Sequence, residues 1–135
     1  MKNIYVSEPS FTGSEKKYLI DCINSGYVSS IGNYVKLFEK KISKLTKVKN
    51  CISCINGSSA LDISVKLLCK RDYDEVIVPT MTFVATINAL QYNNIDPIFM
   101  DCDNFFNIDE NKTINFIQKK TKFVRGKTIN KKTGK

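Results

Sequence analysis

The sequence has no histidine, and its five cysteines include a single C-x-x-C, Cys51 and Cys54. A structural zinc site needs four ligands, so two thiols do not make one. A redox C-x-x-C opens a helix, where the thiol pKa is lowered. Here the pair lies within Cys51-Ile52-Ser53-Cys54-Ile55, which reads as an apolar strand in which residues three apart face opposite sides. Cys22, Cys51, Cys54, Cys69 and Cys102 are therefore expected to be reduced, partly buried thiols, and no metal is expected. Long apolar runs are also missing. No segment approaches the roughly 18 consecutive apolar residues of a membrane span. Met1-Lys2-Asn3-Ile4-Tyr5 contains no apolar core of signal-peptide length. The expectation is a soluble, cytoplasmic protein with no membrane partner.

Acidic residues are absent from one end. Residues 1–111 hold 12 Lys and Arg against 13 Asp and Glu, a net of −1, whereas residues 112–135 hold nine basic residues and no acidic one. The tail thus carries the whole formal charge of +8. A nucleic-acid-binding domain usually spreads its basic stripe over a folded face, with stacking aromatics between. Here the basic stretch is terminal and lysine-dominated, with Phe123 among its lysines, and reads as a solvated tail or an incomplete element. No nucleic acid is expected. Binding through residues 112–135 ranks last among the readings and would gain if the tail folded into a basic face.

What is present suits one domain. The chain has 135 residues and is 42% hydrophobic, enough for a packed core and too apolar for disorder throughout. Thr12-Gly13-Ser14-Glu15 has capping-box form, with Thr12 as N-cap. Tyr18, Leu19, Cys22 and Ile23 follow at helical spacing up to a stop at Gly26. Val35, Phe38, Ile42 and Leu45 mark a second helix. From Asn50 the pattern changes to strand (Cys51–Ile55), turn (residues 56–59), helix (Ala60–Leu68, with Leu61, Val65 and Leu68 in register), strand (Glu75–Pro79), helix (Thr82–Tyr92) and strand (Asp96–Asp101). That order predicts βαβ units and a largely parallel sheet flanked by helices. Asp109 is placed to cap a last helix holding Ile114 and Ile117. Beyond it, residues 122–129 alternate loosely and residues 130–134 carry turn chemistry; a returning hairpin strand is not evident.

Two junctions carry chemistry. At Asn56-Gly57-Ser58-Ser59-Ala60 an apolar strand runs into a helix start. Helix N-termini present unpaired N–H groups and the positive end of the dipole, which suits a phosphate. Gly57 permits close backbone approach, and Ser58 and Ser59 add hydroxyl donors. Ser58 acting as an ordinary helix cap explains the same residues. The motif is neither a Walker loop nor G-x-G-x-x-G, so it implies no nucleotide. At Val78-Pro79-Thr80-Met81-Thr82-Phe83 the chain leaves the carboxyl end of a strand, where ligands of open α/β sheets sit. Phe83 there is placed to stack on a flat ring or to serve as ordinary core.

Taken in order, Gly26-Tyr27-Val28-Ser29-Ser30, Asn56-Gly57-Ser58-Ser59-Ala60-Leu61 and Asp74-Glu75-Val76-Ile77-Val78-Pro79-Thr80-Met81-Thr82-Phe83-Val84-Ala85-Thr86 resemble the DegT/DnrJ/EryC1/StrS family, from about Ile4 onward. These are pyridoxal 5'-phosphate (PLP) dependent aminotransferases of nucleotide-linked keto sugars. The series Phe99-Met100-Asp101-Cys102-Asp103, Asn107-Ile108-Asp109, Lys112-Thr113-Ile114 and Asn130-Lys131-Lys132-Thr133-Gly134-Lys135 resembles the legionaminic-acid-type branch. That branch aminates C4 of a UDP-linked 4-keto-6-deoxy-N-acetyl sugar for surface glycans, with glutamate as donor.

The resemblance implies the N-terminal part of a fold type I, aspartate aminotransferase-like large domain, with an incomplete sheet and flanking helices. Within residues 1–135 it implies a helical segment (1–49), a βαβαβ cofactor-cup segment (50–103), and a helix with a basic truncated hairpin tail (104–135). Gly57, Ser58 and Ser59 fall where the family holds the cofactor phosphate, and Phe83 where an aromatic stacks on the pyridine ring. Tyr27 and Ser29, with Thr86 and Asn88, fall near the sugar. Asp62 stands where many relatives carry histidine. The family's cofactor-bearing lysine and the acidic partner of the pyridine nitrogen match no position here. No catalytic residue is therefore assigned, and the chain is expected to be inactive alone. Half of a split enzyme completed by a second chain is the alternative. Intact members form homodimers; a stable dimer is not expected here.

Overall fold

The computed structural model describes residues 4–70 and 73–135; the N-terminal residues 1–3, read above for a signal peptide, lie outside them. The chain divides into two compact units, Met1–Ser53 and Cys54–Lys135.

The first unit contains helices α1 (Ser14–Ser25) and α2 (Asn33–Thr46). The capping box is only half formed. Glu15 reaches back to accept from the N–H groups of Thr12 at 3.1 Å and Gly13 at 2.8 Å, but the Thr12 hydroxyl also donates to Glu15, and Gly13 occupies the N-cap with φ 107°. The expected Thr12 cap moves one residue on because only glycine takes that left-handed backbone without strain. Gly26 ends α1 as expected, at φ 74°. The Tyr34 hydroxyl donates to Asp21 at 2.9 Å, and the rings of Tyr18 and Tyr34 meet edge-on with centroids 5.3 Å apart. No described residue of this unit is buried, so the apolar stripe of α1 forms at helical spacing yet Tyr18, Leu19 and Ile23 stay exposed and Cys22 is half-buried.

The second unit holds α3 (Gly57–Leu68), β1 (Glu75–Pro79), α4 (Ala85–Tyr92), β2 (Asp96–Met100), α5 (Glu110–Lys120), β3 (Thr121–Val124) and β4 (Lys127–Asn130). Strands β1 and β2 pair in parallel, from Glu75 opposite Asp96 to Pro79 opposite Met100. Their core is Val78, Leu90 and Ile95, with Val65, Cys69, Val76 and Ile87 packed against it. Of the residues expected in register on α3, Val65 joins this core, whereas Leu68 is exposed.

Two expectations are corrected. Cys51–Ile55 is not a strand: it crosses from one unit to the other, and the Ser53 N–H donates to the Glu39 carboxylate at 2.9 Å rather than to a neighbouring strand. An apolar run becomes a strand only where a ladder partner accepts it. The expected βαβαβ segment is accordingly α3-β1-α4-β2. The tail is also not an unreturned hairpin. β3 and β4 pair antiparallel across Arg125 (φ 48°) and Gly126 (φ 81°). Two successive positive φ values make the two-residue turn that matches strand twist. Arg-Gly is a weak signal for that turn, and the lysine density hid it. The tail folds back further: the Asn130 amide donates to Glu75 at 2.8 Å, and the Lys135 ammonium pairs with Asp96 at 2.5 Å. The turn expected at residues 130–134 is present, with the Lys132 N–H donating to Asn130 Oδ1 at 3.0 Å and Gly134 at φ 78°. Asp109 caps α5, accepting from the Lys112 N–H at 2.9 Å.

Candidate functional site

The site is built on the first turn of α3. Asn56 is extended, and its Oδ1 accepts from the Ser59 N–H at 2.8 Å. Asn56, not Ser58, is therefore the cap, since an extended residue just outside the helix is the one whose side chain reaches the third N–H. The Gly57 and Ser58 N–H groups stand at the open end of the helix, with exposed Ser58 and half-buried Ser59 beside them. A Cβ added at Gly57 would meet nothing within 4 Å, and its φ lies outside the left-handed region. Neither packing nor backbone strain calls for glycine there, whereas close approach of a ligand does. A bare helix end with two N–H groups and two hydroxyls is the donor set a phosphate requires.

The second segment of the site follows the carboxyl end of β1. Phe83 precedes α4, which begins at Ala85 rather than at Thr82. It is tied to that helix by its carbonyl, which accepts from the Thr86 N–H at 3.1 Å. Ser58 and Phe83 line one cleft of about 160 Å³ with Asn88, Tyr92, Val84, Ala85 and Ala89. The phenyl ring is exposed and free of the core. Ser58 of the helix end, the accessible Phe83 ring and the Asn88 amide thus line one cavity, while Gly57 and Ser59 stand beside Ser58 outside its lining.

Thr86 does not line this cleft; its hydroxyl lies 3.2 Å from that of Thr82. Tyr27 and Ser29 line a separate hollow of about 450 Å³ in the first unit, with Asp21 and Tyr34. The hydrogen bond from Tyr34 to the Asp21 carboxylate pushes the Tyr34 phenol pKa up. No lysine lines the Ser58–Phe83 cleft. Lys112 pairs with Asp101 at 2.6 Å, which raises its pKa, the direction opposite to that of a nucleophilic amine. Among the described residues no group of three or more His, Cys, Asp or Glu could hold a metal ion. Sequence reasoning missed Asn56 and Tyr92. Asparagine before a helical Gly-Ser-Ser was a readable cap signal, and Tyr92 follows Asn88 by one helical turn.

The profile of the DegT/DnrJ/EryC1/StrS aminotransferase family matches residues 9–126. The chain belongs to that family. It is 43% identical over 104 residues to the GDP-perosamine synthase of Escherichia coli O157:H7, covering 77% of this chain and 29% of that protein. Its structure resembles that of Helicobacter pylori PseC, an aminotransferase involved in the biosynthesis of pseudoaminic acid, with a TM-score of 0.76 and 29% identity over 86% of this chain and 32% of that one. A sugar aminotransferase from Streptococcus pneumoniae, Spr1654, solved in its PLP form, matches with a TM-score of 0.73 and 26% identity over 84% of this chain and 29% of that one. The chain therefore spans about a third or less of the proteins it matches. Its architecture is that of part of the fold type I domain in these sugar aminotransferases, and the cofactor of the family is PLP. The donor set at Gly57, Ser58 and Ser59 and the ring at Phe83 fit that cofactor.

Proposed function

We propose that this chain forms part of the cofactor cup of an aminotransferase that aminates C4 of a UDP-linked 4-keto-6-deoxy-N-acetyl sugar for surface glycan synthesis, with glutamate as amino donor. The observation that carries the reading is the cleft that joins the open end of α3 to Phe83 at the carboxyl end of β1. Bound PLP would supply an electron sink for amino transfer. The chain's own residues act around it: Gly57, Ser58 and Ser59 hold the phosphate, and Phe83 fixes the plane of the ring. Asn88 faces the same cavity from α4. Tyr27, Ser29 and Thr86 are assigned to the sugar.

The UDP assignment is supported by a Helicobacter pylori relative, UDP-4-amino-4,6-dideoxy-N-acetyl-β-L-altrosamine transaminase, 29% identical over 126 residues. The GDP-perosamine synthases make a GDP-linked sugar the competing substrate. Amide shift changes at Tyr27 and Ser29 on titration with a UDP-sugar, absent with a GDP-sugar, are the expected result; the reverse would replace the nucleotide.

Because no lysine lines the cleft, the chain alone is proposed to be inactive. Incubation with PLP, borohydride reduction and peptide mapping test this. The expected outcome is no stable visible band and no single labelled lysine. A saturable band with one labelled lysine would show a working lysine in this chain and overturn the inactivity.

A polyanion-binding reading gains one observation, the folding of the basic tail. Lys122 and Lys127 share a face of the β3–β4 hairpin, while Phe123 lies on the other, by the register and the alternation of strand side chains. The lysines and the ring therefore do not form one stacking platform. Salt-sensitive binding to single-stranded DNA that falls with Lys122→Ala and Lys127→Ala would favour this reading over the enzymatic one.

A further inference from the structure

Helices α3 and α4 both line the cleft, Ser58 from one and Asn88, Ala89 and Tyr92 from the other. Asp62 stands one turn beyond Ser58 on α3, and Asn93 caps the C-terminal end of α4 directly after Tyr92. The Asn93 amide nitrogen donates both its protons, to Asp62 Oδ1 at 2.8 Å and to the Ala89 carbonyl at 2.7 Å. Asn93 is buried, 3% exposed; its bond to the Ala89 carbonyl is buried and its bond to Asp62 half-buried. The other Asp62 oxygen is held by Lys66 at 2.9 Å. Both partners are thus fixed, and the bond crosses from the helix that bears the phosphate end to the helix that begins beside Phe83.

We propose that the Asp62–Asn93 hydrogen bond is a positioning clamp that sets the separation between the helix end at Gly57–Ser59 and the ring of Phe83 to the span of one PLP molecule. The inference rests on the PLP cleft proposed above. Apolar packing also joins α3 to α4 through Val65 and Ile87 at the core, but packing is non-directional, whereas a part-buried, charge-assisted hydrogen bond is directional. A ligand that touches both walls gains from their fixed spacing; one that touches a single wall does not. The clamp therefore acts on PLP and leaves inorganic phosphate unaffected.

The test is amide chemical-shift titration of the 135-residue chain with PLP and, separately, with inorganic phosphate, following Gly57, Ser58 and Ser59. Asp62→Ala is expected to weaken PLP binding about tenfold and to leave phosphate binding within about twofold. Asp62→Asn keeps an oxygen acceptor for Asn93 and is expected to restore PLP binding. Where Asp62→Ala loses the native spectrum, Asn93→Ser breaks the same bond from the other helix and is expected to behave in the same way. Equal losses of PLP and phosphate, or unchanged PLP binding in a folded variant, would overturn the clamp alone. An unsubstituted chain that binds neither ligand would overturn the cofactor reading and the clamp with it.

Discussion

Asn56 and Glu15 show how much a single side chain decides here. Asn56 satisfies one of the free N–H groups that open α3. Its replacement by alanine is expected to cost about 1 kcal/mol, read from the denaturant midpoint, and to fray the turn that holds the phosphate. The hydrogen bond from its own backbone N–H, followed by those from the N–H groups of Thr12 and Gly13, lowers the Glu15 pKa from 4.5 to about 2. A carboxylate whose pKa is depressed on folding stabilises above its unfolded value and loses that contribution as pH falls toward its folded one. The start of α1 is therefore expected to open between about pH 4.5 and 2, followed by the amide shifts of Thr12 and Gly13. Glu15→Gln should flatten that transition. The sequence showed the Thr-Gly-Ser-Glu pattern but not which residue would cap, because that depends on the backbone at Gly13.

At the scale of elements, the helices were legible and the strands only in part. Spacing of apolar residues located α1, α2, α3 and α5, since helical periodicity is a local property. Parallel β1 and β2 were visible as short apolar runs. Cys51–Ile55 looks equally strand-like but finds no ladder, because pairing is decided by what lies alongside rather than by composition. The β3–β4 hairpin was missed for the converse reason: its turn is two residues with positive φ, and only Gly126 advertises it. Gly126→Val is expected to destabilise the hairpin by roughly 1–2 kcal/mol, seen as faster amide exchange in β3 and β4 with little change in α3.

For the whole molecule, exposed apolar surface is the dominant fact. Among the described residues five hydrophobic ones are buried, Val78, Ala89, Leu90, Ile95 and Met100, while Leu19, Ile23, Phe38, Leu45, Ile55, Leu68 and Phe105 are exposed. Surface of that kind recruits partners or aggregates, and the two-stranded parallel sheet leaves unpaired edges. The isolated chain is expected to bind a hydrophobic dye such as ANS and to elute as a heterogeneous, concentration-dependent species on size exclusion. A clean, stable dimer with no dye binding would contradict this.

The sequence by itself determined the ordered motifs by which the chain joins its family, the helical stretches, and the segregation of positive charge after residue 111, because all three are written in local residue order. The tertiary structure alone decided that Ser58, Phe83 and Asn88 share one cavity, that Asn93 grips Asp62, and that the lysine-rich tail folds back onto β1 and β2. Each of these joins residues far apart in the chain, and such contacts form only when burial of the Val78–Leu90–Ile95 core brings their elements together.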